Sequence, residues 1–327
     1  MHNKQVIIFG GSGFLGRYIT RLLSQEGFRV RVATRNVAAT EFLRVSGDVG
    51  QILPLEVDYS KEDSIFQASN GVDYVINLTG ILSENFYSFK SGFHEVHYVL
   101  AKKISKVCDQ LSVKSLIHFS AIGAEHNSKS KYARTKWLGE QAALGIFSRT
   151  TIIRPSVIFG PEDQFFNKFA TMLKLFPIFP ILGCNFKVFL KECFFKNKIN
   201  LLKLRGIRFQ PVYVGDVARA VNKIWINTNK YEGKIIHLGG PTVYTFREIL
   251  QLILTELSFN RYLAPIPISL SKILGFFLGL LPNPALTLDQ VRLLEKDNVV
   301  GKNVLSFSDL AIKPKSAEII LPTYLKR

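Results

Sequence analysis

The chain has 327 residues, 47% of them hydrophobic and 20% charged, which suits a large buried core and excludes a disordered or fibrous protein. Three cysteines, Cys108, Cys184 and Cys193, are too few and too scattered for a disulfide framework or a metal site, so a reducing cytoplasm is expected, and nothing reaches the run of about 18 apolar residues that a membrane span needs. The excess of 42 Lys and Arg over 25 Asp and Glu leaves +17, which favours anionic cofactors, acidic partners or an anionic membrane surface; nucleic acid is disfavoured, because the basic residues are spread out and no recognised motif gathers them.

The first strand begins within a few residues of Met1, so no signal peptide is expected. Gln5-Val6-Ile7-Ile8-Phe9 reads as a strand buried on both faces. Gly10-Gly11-Ser12-Gly13-Phe14-Leu15-Gly16 follows at once, and Phe14, Leu15, Ile19, Leu22 and Leu23 recur at helical spacing until Gly27 stops the pattern. Strand, glycine turn and helix in that order form a pyrophosphate cradle. The glycines allow a tight turn and close backbone approach, and the helix N-terminus favours negative charge.

The second strand, 28–34, ends at Arg35. An acidic residue about 20 positions beyond the glycine turn would hold a ribose 2′-hydroxyl, whereas an arginine suits a 2′-phosphate. Arg35, with Arg17 as a second candidate, therefore predicts NADP(H) in preference to NAD(H). Strands 52–57 and 72–78 close on Asp58 and on Thr79-Gly80. Asp58 and Tyr59 are expected on the adenine side, and Leu78, Thr79 and Gly80 under the adjacent ribose. Helical periodicity over 60–68 and 93–111 completes a βαβ alternation, hence an α/β fold with a doubly wound parallel sheet.

The fifth strand, 114–120, leads to Ser130-Lys131-Tyr132-Ala133-Arg134-Thr135-Lys136, where Tyr132 and Lys136 share one helix face. A phenol titrates near 10 in water, and a neighbouring ammonium favours its ionised form, which makes the pair suitable for acid–base work on an alcohol or ketone.

These elements, with 150–154 running into Pro155-Ser156-Val157-Ile158-Phe159-Gly160-Pro161 and Phe209-Gln210-Pro211-Val212-Tyr213-Val214-Gly215-Asp216, resemble the extended short-chain dehydrogenase/reductase superfamily over nearly the whole chain. The 209–218 run, Leu288-Asp289-Gln290-Val291, Asp297-Asn298-Val299-Val300 and Ile320-Leu321-Pro322-Thr323-Tyr324-Leu325 are similar to the atypical branch that holds the nucleotide-binding accessory subunit of respiratory complex I. The resemblance implies a Rossmann core with tightly held NADP(H) over 1–160 and a smaller mixed C-terminal domain over 161–327, from which 209–240 returns to the core. It also implies attachment to a quinone-reducing membrane complex, hence a cytoplasmic protein peripherally associated with the inner membrane, or a place in quinone metabolism. Pro155, Ser156 and Ile158 would pass the nicotinamide, and Lys136 would also meet its ribose.

The pattern departs from an active enzyme at two points. Ser120 is the only hydroxyl at the end of the fifth strand, and Ile122 stands where the superfamily's catalytic Ser or Thr usually falls; His94 and His97 occupy the region of a proton-relaying Asn. Binding without turnover is thus one reading, and an active NADP-dependent reductase or epimerase, with Tyr132 as acid/base and a quinone precursor or nucleotide sugar as substrate, is the other. His118 and His237 fall in apolar strand patterns and read as core residues. Phe165, Phe166 and Asn167 are expected to open the substrate side. Residues 185–207 interleave lysines with phenylalanines and read as a surface insertion, a pattern that also suits an anionic membrane surface or nucleic acid. The apolar segment 268–281 is either a core helix closing the pocket, the preferred reading, or a helix lying in a membrane interface.

Overall fold

A computed structural model describes residues 4–84, 92–184, 206–281, 284 and 286–325. All but two residues of the basic insertion at 185–207 lie outside that set, as does Cys193. Six parallel strands, β1 (Gln5–Phe9), β2 (Arg29–Thr34), β3 (Ile52–Glu56), β4 (Tyr74–Asn77), β5 (Ser115–Phe119) and β6 (Thr150–Pro155), form a sheet in the order β3-β2-β1-β4-β5-β6, which Ile235–Leu238 extends beyond β6. The order reverses between β1 and β4, so a crevice opens there at the carboxyl ends of the strands.

Alternation along β1 explains why its run is unbroken. Val6 and Ile8 face a core shared with Ile19 and Leu23 of α1 (Phe14–Gln25) and with Val217, Val221 and Ile224 of the helix Val214–Ile226. Ile7 and Phe9 face the opposite core, shared with Ile65 of α2 (Glu62–Ser69), Ile104 and Val107 of α3 (Leu100–Gln110) and Ala143 of α4 (Lys131–Ile146). Helix α1 ends at Gln25 with Glu26 as its C-cap, and Gly27 just beyond has a φ of +81° that suits glycine. The far C-terminal segment also returns to this sheet: His237 donates its N–H to Leu305 O, and Phe307, Leu310 and Ile312 join the α1 core.

The second lobe has its own core, rich in phenylalanine. Phe166 and Leu173 of α5 (Phe166–Leu175) meet Phe179, Phe209, Phe246, Ile249 and Leu321. Phe166 is fully buried, and Phe165 packs edge-on to Phe169 at 5.0 Å, so these rings build the lobe's interior where an opening to substrate was expected.

The apolar helix Ile268–Leu278 also departs from expectation. Its buried positions are Ser271 and Gly275, while Leu270, Ile273, Phe276 and Phe277, with Leu280 and Leu281 beyond its end, remain 44% to 63% exposed. It does not close a pocket as a core helix. Its small residues face inward because the neighbouring helix Leu288–Leu293 lies too close for larger ones: a Cβ on Gly275 would come within 2.9 Å of Val291.

Candidate functional site

The glycine turn after β1 meets every steric demand of a phosphate cradle. Gly10 has φ of +80°, and a Cβ there would press on the backbone of Leu78 and Thr79 at 3.2 and 3.3 Å. A Cβ on Gly11 would fall 2.9 Å from Val32, and one on Gly16 only 2.5 Å from the Cα and carbonyl oxygen of Gly11. Helix and strand are therefore pressed together at a distance only glycine permits. Helix α1 starts at extended Gly13 with no side-chain cap and no acidic residue in its first turn. Its first amides and the positive end of its dipole are left to an external anion. These residues fit the diphosphate of a dinucleotide.

Around the turn, Arg17 donates to Ser12 O at 3.1 Å and lies 4.8 Å from the Phe42 ring, while Arg35 is exposed at the end of β2. Tyr59 and Asp58 are engaged locally. The Tyr59 hydroxyl donates to Ala33 O at 2.8 Å beneath the turn, and Asp58 accepts from Ser60 N and Oγ at 3.0 and 2.6 Å.

At the crevice's other half, Lys136 is buried and its Nζ donates to Phe119 O at 3.2 Å and to Thr79 O at 3.5 Å. It also sits 3.0 Å from the position of a Cβ on Gly80. The structure thus groups Thr79 and Gly80, expected under the ribose on the adenine side, with Lys136, the residue expected at the nicotinamide ribose. Burial pulls the Lys136 ammonium down to about 8, with Glu140 opposing the shift. Tyr132 is half-buried, edge-on to Phe93 at 5.7 Å and to His97 at 5.2 Å, and burial pushes its phenol up to about 12. The expected lowering by the lysine is not what the surroundings produce, because the ammonium turns to the two carbonyls and the phenol packs among rings.

His97 stands in a π turn, Glu95–Val99, that leads into α3. Its Nε2 accepts from Ile81 N at 3.2 Å, so the proton is on Nδ1, which donates to Thr135 Oγ1 at 3.0 Å. Burial first, then the Lys136 charge, pushes His97 down to about 2, so the ring stays neutral and joins the loop after β4 to α4. A second chain of bonds runs beside it. Asn77 Oδ1 accepts from Thr79 N and Oγ1 at 3.0 and 2.6 Å, which turns Asn77 Nδ2 toward His118 Nδ1 at 3.1 Å. Spacing gave no signal for Thr135 or Asn77, and only the fold sets His118 beside the lysine.

Ser120 is buried, and its Oγ has no hydrogen-bond partner among the described residues; Ile122 is buried where the superfamily's hydroxyl was sought. Ser156 is committed elsewhere: its hydroxyl donates to Asn298 Oδ1 at 2.6 Å and its amide to Leu238 O at 2.8 Å. Pro155 O accepts from Ile122 N, and Ile158 pairs with Val212 in a short two-stranded sheet.

The motifs near the C-terminus act as fasteners across this site. Asn298 holds Ser156 and the carbonyl of Ile122, Val300 N donates to Gln210 Oε1 at 2.9 Å, Arg208 pairs with Asp297, and Tyr324 donates to Asp163 Oδ2 at 2.8 Å.

The sequence model of the NAD dependent epimerase/dehydratase family matches residues 6–239. The chain belongs to that family. Within it, the mitochondrial NADH dehydrogenase [ubiquinone] 1 alpha subcomplex subunit 9 of Mus musculus is 31% identical over 327 residues, 98% of this chain and 79% of the mouse protein. The same subunit of Arabidopsis thaliana is 29% identical over 319 residues, 94% and 73% of the two chains. Among solved structures of the family's fold, a Thermus thermophilus UDP-glucose 4-epimerase complexed with NAD superposes with a TM-score of 0.66 at 19% identity, over 98% of this chain and 97% of its own. A Bacillus anthracis dTDP-4-dehydrorhamnose reductase complexed with NADP gives 0.64 at 14% identity, over 98% of each chain. The central sheet is thus the family's Rossmann sheet.

Proposed function

We propose that this epimerase/dehydratase-family chain holds NADP(H) as a cofactor-bearing accessory component of a respiratory NADH:quinone oxidoreductase. The observation that carries this reading is that similarity to the complex I subunits continues past residue 239, through the lobe whose motifs clamp the site. Gly10, Gly11, Gly13 and Gly16, with the first-turn amides of α1, receive the diphosphate. Arg35 and Arg17 receive the 2′-phosphate, and Lys136 with Thr79 and Gly80 the nicotinamide ribose. When bound, the dinucleotide supplies a two-electron donor or acceptor. The chain's own residues favour holding it over using it, since the Tyr132 phenol is pushed up and Ile122 is apolar.

The exposed helix Ile268–Leu278 supports docking against a neighbouring subunit at the inner-membrane surface, and no helix among the described residues is long and apolar enough to cross a membrane. Denaturing the purified protein should release NADP(H); recovery of NAD(H) alone would overturn the assignment of Arg35. Gentle solubilisation should recover the chain in a large quinone-reducing complex, and a chain found only free of such complexes would sink the accessory role.

The active reductase or epimerase is favoured by one observation, the Ser120 hydroxyl just beyond β5, buried and without a hydrogen-bond partner among the described residues. Turnover of candidate ketones or nucleotide sugars that falls in Tyr132→Phe would support that reading; equal rates would remove Tyr132 from catalysis, and no turnover by the wild type would remove the reading itself.

A further inference from the structure

Helix α4 carries Tyr132 and Lys136, and its own sequence begins it weakly. Ser130 is the N-cap, and the first turn holds no acidic residue. What completes the terminus comes from 159 positions away, in the helix Leu288–Leu293 of the other lobe. Asp289 Oδ1 accepts from Lys131 N at 2.7 Å, and Asp289 Oδ2 accepts from Tyr132 N at 3.1 Å and from Ser130 Oγ at 2.7 Å. Ser130 Oγ in turn accepts from Ala133 N at 3.3 Å. Asp289 thus satisfies two amides, and the Ser130 hydroxyl it orients satisfies a third, so three consecutive amides that lack intrahelical acceptors are paired, and the carboxylate places a negative charge at the helix's positive end. Asp289 is itself held, because the Thr287–Gln290 capping box fixes the start of its short helix.

We infer that Asp289 is a positioning residue of the dinucleotide site: it fixes the first turn of α4 from the second lobe, and thereby sets Tyr132 and, one turn further, Lys136 against Thr79 and Gly80. The inference rests on the dinucleotide reading above and adds to it that the nicotinamide half of the site depends on contact between the lobes, whereas the adenine half does not. Asp289 touches no part of the glycine turn, Arg17 or Arg35.

The test compares two ligands on the full-length protein by calorimetry: NADPH, which reaches both halves, and 2′,5′-ADP, which reaches only the adenine half. If NADH proves the tighter dinucleotide, it and 5′-AMP take their places. Asp289→Ala is expected to weaken the dinucleotide about tenfold, the scale of a lost helix cap, and to leave the adenine fragment unchanged. Asp289→Asn, which keeps one acceptor, is expected to fall between wild type and Ala, and it serves if the Ala variant folds poorly. An equal loss for both ligands, or no loss for either, overturns the inference. A wild-type protein that binds neither ligand overturns the dinucleotide reading itself, and the inference with it.

Discussion

Helices α1 and α4 both begin at the carboxyl edge of the central sheet, and their N-termini are opposites. Gly13 opens α1 with no capping side chain and no acid, on a turn so crowded that only glycine fits. Helix α4 begins under a serine cap and a carboxylate borrowed from residue 289. The same physics governs each end, four amides without intrahelical acceptors and a positive dipole end. One terminus is left open for a ligand's phosphates. The other is sealed by the protein and serves as a fixed mount for Tyr132 and Lys136.

Closing the open end should have the largest effect. In Gly16→Ala, the new methyl meets the Gly11 backbone at 2.5 Å, so the turn must shift. Dinucleotide affinity should fall by about a hundredfold or more, read by calorimetry, because backbone rather than a flexible side chain must give way.

The mount itself makes the next prediction. Folding lowers Lys136 from 10.5 to about 8, so between pH 8 and 10.5 the unfolded chain binds more protons at this site than the folded one. Stability contributed by this group therefore rises with pH across that window, by about 3 kcal/mol in all. Urea denaturation of wild type and Lys136→Met should show the wild type gaining on the variant from pH 8 upward; parallel curves would place the lysine in a wetter site than the fold suggests. Across the same pH 8 midpoint, affinity for a dinucleotide held by the Lys136 ammonium should decline as pH rises.

Arg35→Ala should weaken NADPH about tenfold and leave NADH unchanged, since a charge-assisted bond to the extra phosphate is worth about 1.5 to 3 kcal/mol. Equal loss of both ligands would detach Arg35 from the 2′-phosphate. The smallest effect is expected at the sealed end: Ser130→Ala should cost about 1 kcal/mol of folding stability in urea, because Asp289 still holds two of the amides.

The open terminus was legible in the sequence because its strand, glycines and helix follow one another along the chain, although part of what demands glycine at 10 and 11 comes from Leu78, Thr79 and Val32. Val6 to Phe9 alternate between two cores, and Gly10, Gly11 and Gly16 each answer to atoms within one strand, one turn or one adjacent strand. The sealed terminus was only half legible. The spacing of Tyr132 and Lys136 places both on α4, but their electrostatics depend on residues the sequence scatters: His97, Thr135, Thr79 and Phe119 turn the lysine and the phenol away from the expected pairing. The helix Ile268–Leu278 misled for a related reason. Its apolar composition argued for burial, yet its contact face is the small one, set by how closely Val291 approaches Gly275.

By itself, the sequence determined the parallel sheet, the glycine cradle and the arginine beyond β2, because strand periodicity, steric room at glycine and side-chain charge are properties of adjacent residues. The tertiary structure alone decided that Asp289 caps α4, that Asn298 takes the Ser156 hydroxyl, and that the phenol of Tyr132 is raised rather than lowered. Hydrogen bonds and desolvation act over a few ångströms of space, and no spacing along a chain records which distant residues will share that space.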